Sequence, residues 1–173
     1  MRGLVAAGAV LSLALAALPA VAVEPKEFMR PCQRQDLLGV WRLLRLGVAS
    51  GIQVDRTDPA FLPHQRYVFH SNATMVHATQ EVPFTREEQR GLTKLPPSAT
   101  WTIEEEGRLV RQRDGVTDVE RAECHVLTQA VRDPKTSQPT AQAGDVVLTE
   151  ARGEQRPAVR RLLRRIRGLD SGG

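Results

Sequence analysis

Short apolar runs separated by turn residues recur along the chain from residue 37 onward. The first run, 37–46, reads LLGVWRLLRL, and its apolar positions fit a helix as well as a strand that is buried on both faces. Gly39 inside the run favours the strand, because glycine weakens a helix interior by about 1 kcal/mol relative to alanine. We interpret this run as the opening strand of a small antiparallel barrel.

The clearest strand signal comes after residue 64. Tyr67 and Phe69 lie on one predicted face of a strand with Val68 on the other, and Ala122, Cys124 and Val126 share one predicted face of a longer segment. Ser-Asn, Glu-Gly and Asp-Gly pairs mark turns between these segments. The six strands predicted from this pattern are 65–70, 73–80, 100–105, 108–113, 118–131 and 145–151.

Two segments depart from the strand pattern. Thr85 and Glu88 form a capping box, which predicts a short helix that ends near Leu95. The segment 157–167 has apolar residues at helical spacing but also suits a last strand, and the sequence leaves both readings open. Counted as a strand, it completes a mainly β fold: a small antiparallel eight-stranded up-and-down barrel with one short helix.

The first 22 residues predict a signal peptide. Arg2 precedes an apolar stretch, and Ala20-Val21-Ala22 is typical of a cleavage site, which places cleavage after Ala22. We therefore expect a periplasmic or secreted protein. The predicted parts are a signal peptide (1–22), an N-terminal arm (23–36), the barrel domain (37–167) and a disordered tail (168–173).

The chain has two cysteines, Cys32 and Cys124. Export would place them in an oxidising compartment, where the simplest expectation is one structural disulfide between them. Closing so long a loop would constrain the unfolded chain by roughly 4–5 kcal/mol in the entropy model. Two free thiols, or half of a metal site, are the alternatives.

In two places the sequence resembles lipocalin-like (calycin-type) exported bacterial domains. Gly39-Val40-Trp41 lies on the first predicted strand, and the final hairpin, 144–149 followed by 160–165, is similar to the end of those domains. The resemblance implies that Trp41 closes one end of the barrel under an arginine of the last strand, a cation–π contact worth about 0.5–2 kcal/mol. The candidate arginines are Arg160, Arg161, Arg164 and Arg165; the closing motif is taken as Gly39, Trp41, Arg161 and Arg164.

An eight-stranded barrel can hold one small ligand or be filled by side chains. The resemblance implies a non-enzymatic binding protein for a small apolar or amphipathic ligand, acting as a monomer. The predicted lining residues are Tyr67, Phe69, Met75, Trp101, Ile103 and Val126. The alternative is a filled barrel that docks a protein partner or the envelope surface through its arginine-rich C-terminal segment.

Other function classes have weaker signals. The net charge of +4 comes almost entirely from arginine, and the arginine-rich segment has no interleaved aromatics, so we expect no nucleic-acid partner. Cys124 and His125 are neighbours on a strand and face opposite sides, which excludes a catalytic dyad between them. His70 and His77 flank one turn, but no paired metal-ligand motif supports a metal there. We therefore predict no enzyme, cofactor or metal.

Overall fold

Antiparallel strands dominate the computed structural model, which describes residues 28–169 without Ile52, Arg56, Gly153 and Glu154, and of 152–158 the backbone alone. The helices are α1 (Arg34–Leu37) and α2 (Arg86–Gly91), the latter continued by a 3-10 turn, Leu92–Lys94. The strands are β1 (Met29–Pro31), β2 (Gly39–Val48), β3 (His64–Phe69), β4 (Thr74–Gln80), β5 (Ala99–Ile103), β6 (Arg108–Arg113), β7 (Val119–Leu127), β8 (Val131–Arg132), β9 (Pro139–Ala141), β10 (Val146–Arg152) and β11 (Gln155–Arg165).

Eight of these strands close into an up-and-down barrel. Each barrel strand pairs with the next one along the chain, β7 pairs with both β6 and β10, and β11 closes the circle on β2. β1 is an extra strand on β7, and β8 and β9 form a separate hairpin. The predicted mainly β barrel with a short helix at Thr85 is confirmed.

The last segment is a strand rather than a helix. The backbone of β11 pairs with β10 on one side and with β2 on the other, so both edges are satisfied by neighbouring strands. Its buried residues then alternate, with Val159, Arg161 and Leu163 all turned into the barrel. Closure of the barrel therefore overrides the helical spacing of the apolar residues.

The N-terminal segment closes one end of the barrel around Trp41. The indole Nε1 of Trp41 donates to the carbonyl oxygen of Leu37 at 2.7 Å, and Leu37 itself is fully buried. The guanidinium of Arg165 lies 4.9 Å from the centre of the Trp41 ring and donates to the carbonyl oxygen of Asp36 at 2.8 Å.

The arginine in this closing motif is therefore Arg165, and the choice of Arg161 and Arg164 was wrong. Arg165 is the register partner of Trp41 across the β2–β11 ladder, so its side chain meets the ring directly. Arg161 lies four residues away from Arg165 along β11, opposite Leu46, and is buried in the interior. Arg164 pairs with Asp145 at 2.7 Å.

The predicted disulfide is confirmed: the sulfur atoms of Cys32 and Cys124 are 2.03 Å apart. The backbone N–H of Cys32 also donates to the carbonyl oxygen of Cys124 at 2.9 Å. Gly107 allows this close approach, because its φ is +74° and an added Cβ would lie 2.7 Å from that carbonyl oxygen. The disulfide therefore fixes the N-terminal segment across the closed end.

The helix α2 and the turn after it lie against the outside of the barrel. Leu92 packs there on Val40, Val68 and Val76, which face outward from β2, β3 and β4. The interior is thus left to the inward residues of the strands. No helix in the described part of the chain is long and apolar enough to cross a membrane. The predicted signal peptide and residues 170–173 of the predicted tail lie outside the described residues.

Candidate binding site

A cavity of about 470 Å³ occupies the end of the barrel opposite Trp41. This volume lies within the usual range for small-molecule pockets, about 300–1,000 Å³. Its wall combines small apolar residues with charged and polar ones. The lining residues are Asp58, Pro59, Ala60, Met75, His77, Thr79, Ser98, Ala99, Arg111, Arg113, Val119, Glu120, Arg121, Glu150, Ala151 and Arg161.

The strand period explains how charged residues reach the interior. Successive side chains alternate between the two faces of a strand, so residues two positions apart share a face. Three strands carry a buried leucine in the closed half and a charged residue two positions nearer the open end. These pairs are Leu109 and Arg111, Leu148 and Glu150, and Leu163 and Arg161.

The carboxylate of Glu150 bridges two buried arginines at the floor of the cavity. One oxygen lies 2.6 Å from Nη1 of Arg161, and the other lies 2.6 Å from Nη2 of Arg111. The same Nη2 of Arg111 lies 3.1 Å from Glu120, which also pairs with Arg113 at the rim. These five side chains form one connected ionic network.

Electrostatics keep the centre of this network charged. Burial raises the pKa of Glu150, but the positive charges of Arg111 and Arg161 outweigh burial and hold that pKa below its ordinary value. Burial lowers the pKa of Arg161, yet Glu150 outweighs burial and leaves that pKa above its ordinary value. Both groups therefore carry their charges across the physiological range.

A second polar group lies beside this network. The amide nitrogen of Gln65 donates to the carbonyl oxygens of Ala60 and Leu62 at 3.0 and 2.9 Å. Its amide oxygen is therefore the acceptor for the Tyr67 hydroxyl at 2.5 Å and for Nε2 of His77 at 3.2 Å. This arrangement requires the His77 proton to be on Nε2.

The Tyr67 and His77 rings stack with their centres 4.3 Å apart. Burial, together with the positive charges of Arg111 and Arg161, lowers the pKa of His77 to about 3. Burial raises the pKa of Tyr67 to about 12. Both rings are therefore neutral at physiological pH, and the charges at the floor come from the arginines and glutamates.

Three buried guanidinium nitrogens at the cavity floor have no hydrogen-bond partner among the described residues. Arg161 is 2% exposed and Arg111 is 7% exposed, and both line the cavity. Nη2 of Arg161 donates to the carbonyl oxygen of Ala60 at 3.0 Å. The Nε atoms of Arg161 and Arg111 and Nη1 of Arg161 are the unpartnered nitrogens, although Nη1 is in ion-pair contact with Glu150. The floor therefore retains N–H donors that the described residues do not use.

The chain matches no protein-family model, no curated protein and no solved structure. Its closed eight-stranded barrel is compatible with a lipocalin-like fold. Among the described residues, no group of three or more histidine, cysteine or acidic side chains is arranged to hold a metal ion. His70 and His77 are not opposite each other across the hairpin, because the register partner of His77 is Tyr67.

Of the six predicted lining residues, Met75 lies on the cavity wall. Tyr67 contacts His77 beside the cavity. The others belong to the packed half of the barrel, where Phe69 and Trp101 meet edge to face at 5.1 Å. Val126 is buried in the same cluster, and Ile103 packs against it. These aromatic residues fill the barrel instead of lining a void.

The charged floor was not predicted from the sequence. Apolar residues were assigned to the cavity because the inward face of a barrel strand is usually its apolar face. The signal that was available is the continued alternation: Glu120 shares its face with Ala122 and Cys124, and Glu150 shares its face with Leu148. Charged residues at inward positions near the same end of several strands indicate a polar interior.

Proposed function

We propose that this protein binds one small amphipathic molecule in the open half of its barrel and does not catalyse a reaction. The cavity is the observation that supports this proposal, because its lining combines an apolar wall with a charged floor. Met75, Ala99 and Val119 offer contacts to an apolar portion, and the Glu150 network offers contacts to a polar portion. A wholly apolar ligand would leave the unpartnered N–H groups of the buried guanidinium groups without an acceptor.

The resemblance to lipocalin-like, calycin-type exported domains supports the same function. That resemblance rests on Gly39-Val40-Trp41 and on the final hairpin, and the barrel that contains them has both a packed half and a cavity. The predicted signal peptide and the Cys32–Cys124 disulfide support a periplasmic or secreted location. We propose that the protein acts there as a monomeric carrier.

The docking alternative has less support. Three arginines of the C-terminal segment make intramolecular contacts: Arg161 with Glu150, Arg164 with Asp145, and Arg165 with Trp41. These three side chains are therefore occupied by contacts within the barrel and do not form a free basic surface. A surface groove of about 510 Å³ outside the closed end is also less suited to a ligand, because its Arg30 and Asp36 already pair at 2.7 Å.

Two fluorescent probes test the proposal: 8-anilinonaphthalene-1-sulfonate and its uncharged skeleton, N-phenyl-1-naphthylamine. Thr79 lines the cavity, so Thr79→Phe should obstruct it, whereas Thr102 is exposed on β5 and Thr102→Phe is the matched control. We expect saturable one-to-one binding of at least one probe, weakened at least tenfold by Thr79→Phe and unchanged by Thr102→Phe. The proposal fails if neither probe binds, or if Thr79→Phe leaves binding of both unchanged.

A further inference from the structure

We infer that the ligand is a small organic anion whose charged group lies on the cavity floor against Arg111 and Arg161. This inference rests on the proposed function and names the chemical class of the ligand. It follows from three features of the floor: the unpartnered donors, the balance of charge and the way in which the glutamates are already engaged.

The two buried arginines at the floor keep N–H donors that have no acceptor in the described part of the chain. A guanidinium has five N–H donors, and the Nε–H lies on the edge next to Nη2. Ala60 accepts from Nη2 of Arg161, and Glu150 accepts from Nη2 of Arg111. Glu150 is also in ion-pair contact with Nη1 of Arg161, but without hydrogen-bond geometry. The Nε–H groups of both arginines lack an acceptor among the described residues, although both side chains are more than nine-tenths buried. Both arginines line the cavity, so a small shift of their side chains would turn these buried N–H groups toward an oxyanion bound there, which would supply the missing acceptors.

The charge balance points the same way. Within the described ionic network at the floor, the guanidinium groups of Arg111, Arg113 and Arg161 face the carboxylates of Glu120 and Glu150. One positive charge is therefore in excess. At the rim, Asp58 and Arg121 line the cavity with opposite charges. A ligand with one negative charge would neutralise the site, and a cationic ligand would increase the excess.

The glutamates do not oppose this assignment. Both oxygens of Glu150 are engaged, one by each buried arginine at 2.6 Å, and both oxygens of Glu120 are engaged by Arg111 and Arg113. Their negative charge is thus directed at Nη atoms. The Nε edges of the arginines remain for a ligand, and hydrogen bonds from charged donors to an oxyanion are about twice as strong as those between neutral groups.

The two probes separate this inference from the proposed function, because they differ by a single sulfonate. On the wild-type protein we expect the anionic probe, 8-anilinonaphthalene-1-sulfonate, to bind at least tenfold more tightly than N-phenyl-1-naphthylamine. If both bind equally and Thr79→Phe weakens both, the cavity binds ligands without a preference for anions, and this inference fails while the proposed function stands. This comparison needs no variant at the floor.

Variants then locate the anion. Arg161→Gln should weaken binding of the anionic probe at least tenfold and change binding of the uncharged probe less than twofold. Arg160 is the adjacent, exposed residue on β11, so Arg160→Gln is the matched control and should change neither. Circular dichroism checks that each variant is folded. An equal loss for Arg160→Gln and Arg161→Gln would place the anion on the outer surface and overturn the inference.

Discussion

Replacing Glu150 by glutamine tests whether the ionic network at the cavity floor stabilises the folded barrel. Glu150 is 13% exposed, and its two oxygens each lie 2.6 Å from a buried arginine nitrogen. Glutamine has nearly the same shape but accepts with one oxygen only and turns an amide N–H₂ toward a guanidinium. The substitution therefore removes a charge and one charge-assisted hydrogen bond without creating a cavity.

The magnitude follows from the geometry. Two unit charges about 4 Å apart interact by about 4 kcal/mol at an effective dielectric constant of 20. Removing one partner of a buried ion pair typically costs about 3–5 kcal/mol, because the remaining charge is left uncompensated. The retained amide oxygen of glutamine offsets part of that cost. We therefore expect Glu150→Gln to lower the free energy of unfolding by about 3 kcal/mol, at the lower end of that range.

Urea denaturation at pH 7, followed by tryptophan fluorescence, measures this loss. Glu123 is exposed on the outer face of β7, so Glu123→Gln is the matched control and should change stability by less than about 0.5 kcal/mol. The pKa of Glu150 is below its ordinary value of 4.5, so its stabilisation is full above pH 4.5 and is lost as pH falls through the lower folded-state pKa. A loss below about 1 kcal/mol at pH 7 would refute the reasoning, because the buried pair would then be contributing little.

Three further predictions follow from other parts of the barrel. Replacing Cys32 and Cys124 together by serine should lower the free energy of unfolding by about 2–5 kcal/mol in urea, and added reductant should then have no further effect. Arg165→Gln should cost about 0.5–2 kcal/mol and shift tryptophan emission to longer wavelength, whereas the exposed Arg167→Gln should do neither. His77 is neutral when folded, because its pKa is about 3, but it gains a proton below pH 6.5 when unfolded. Stability should therefore fall by up to about 2 kcal/mol between pH 7.5 and 5, and His77→Gln should abolish that part of the fall; an identical fall in both proteins would contradict it.

The strand pattern predicted the barrel because each strand is indicated by the residues within it and by the turns beside it. Alternation around Tyr67 and around Cys124, with turn pairs between them, identified the strands, and the capping box at Thr85 identified α2. The disulfide followed from the number of cysteines and the expected compartment. The last strand stayed ambiguous because its strand identity depends on pairing with β2, which is distant in sequence.

The arrangement of the site depended on register, which the sequence does not specify. Arg165 meets Trp41 because β11 pairs with β2 in one particular register, and a shift of one residue would exchange the faces of the strand. The registers of the β6–β7, β7–β10 and β10–β11 pairs likewise bring Arg161 and Arg111 to one carboxylate. The alternation within each strand indicated which residues face inward. The pairing of strands in the closed barrel determines which of those residues contact one another.

Methyl NMR gives the most direct test of binding in the open half of the barrel. Met75 lines the cavity, whereas Met29 lies on β1 outside the barrel and at its other end. With ¹³C-methyl-labelled methionine and saturating 8-anilinonaphthalene-1-sulfonate, ring currents from the bound probe should shift the Met75 methyl resonance and leave Met29 unchanged. Saturable binding that shifts Met29 and not Met75 would contradict the account, because the ligand would then occupy a site outside the cavity.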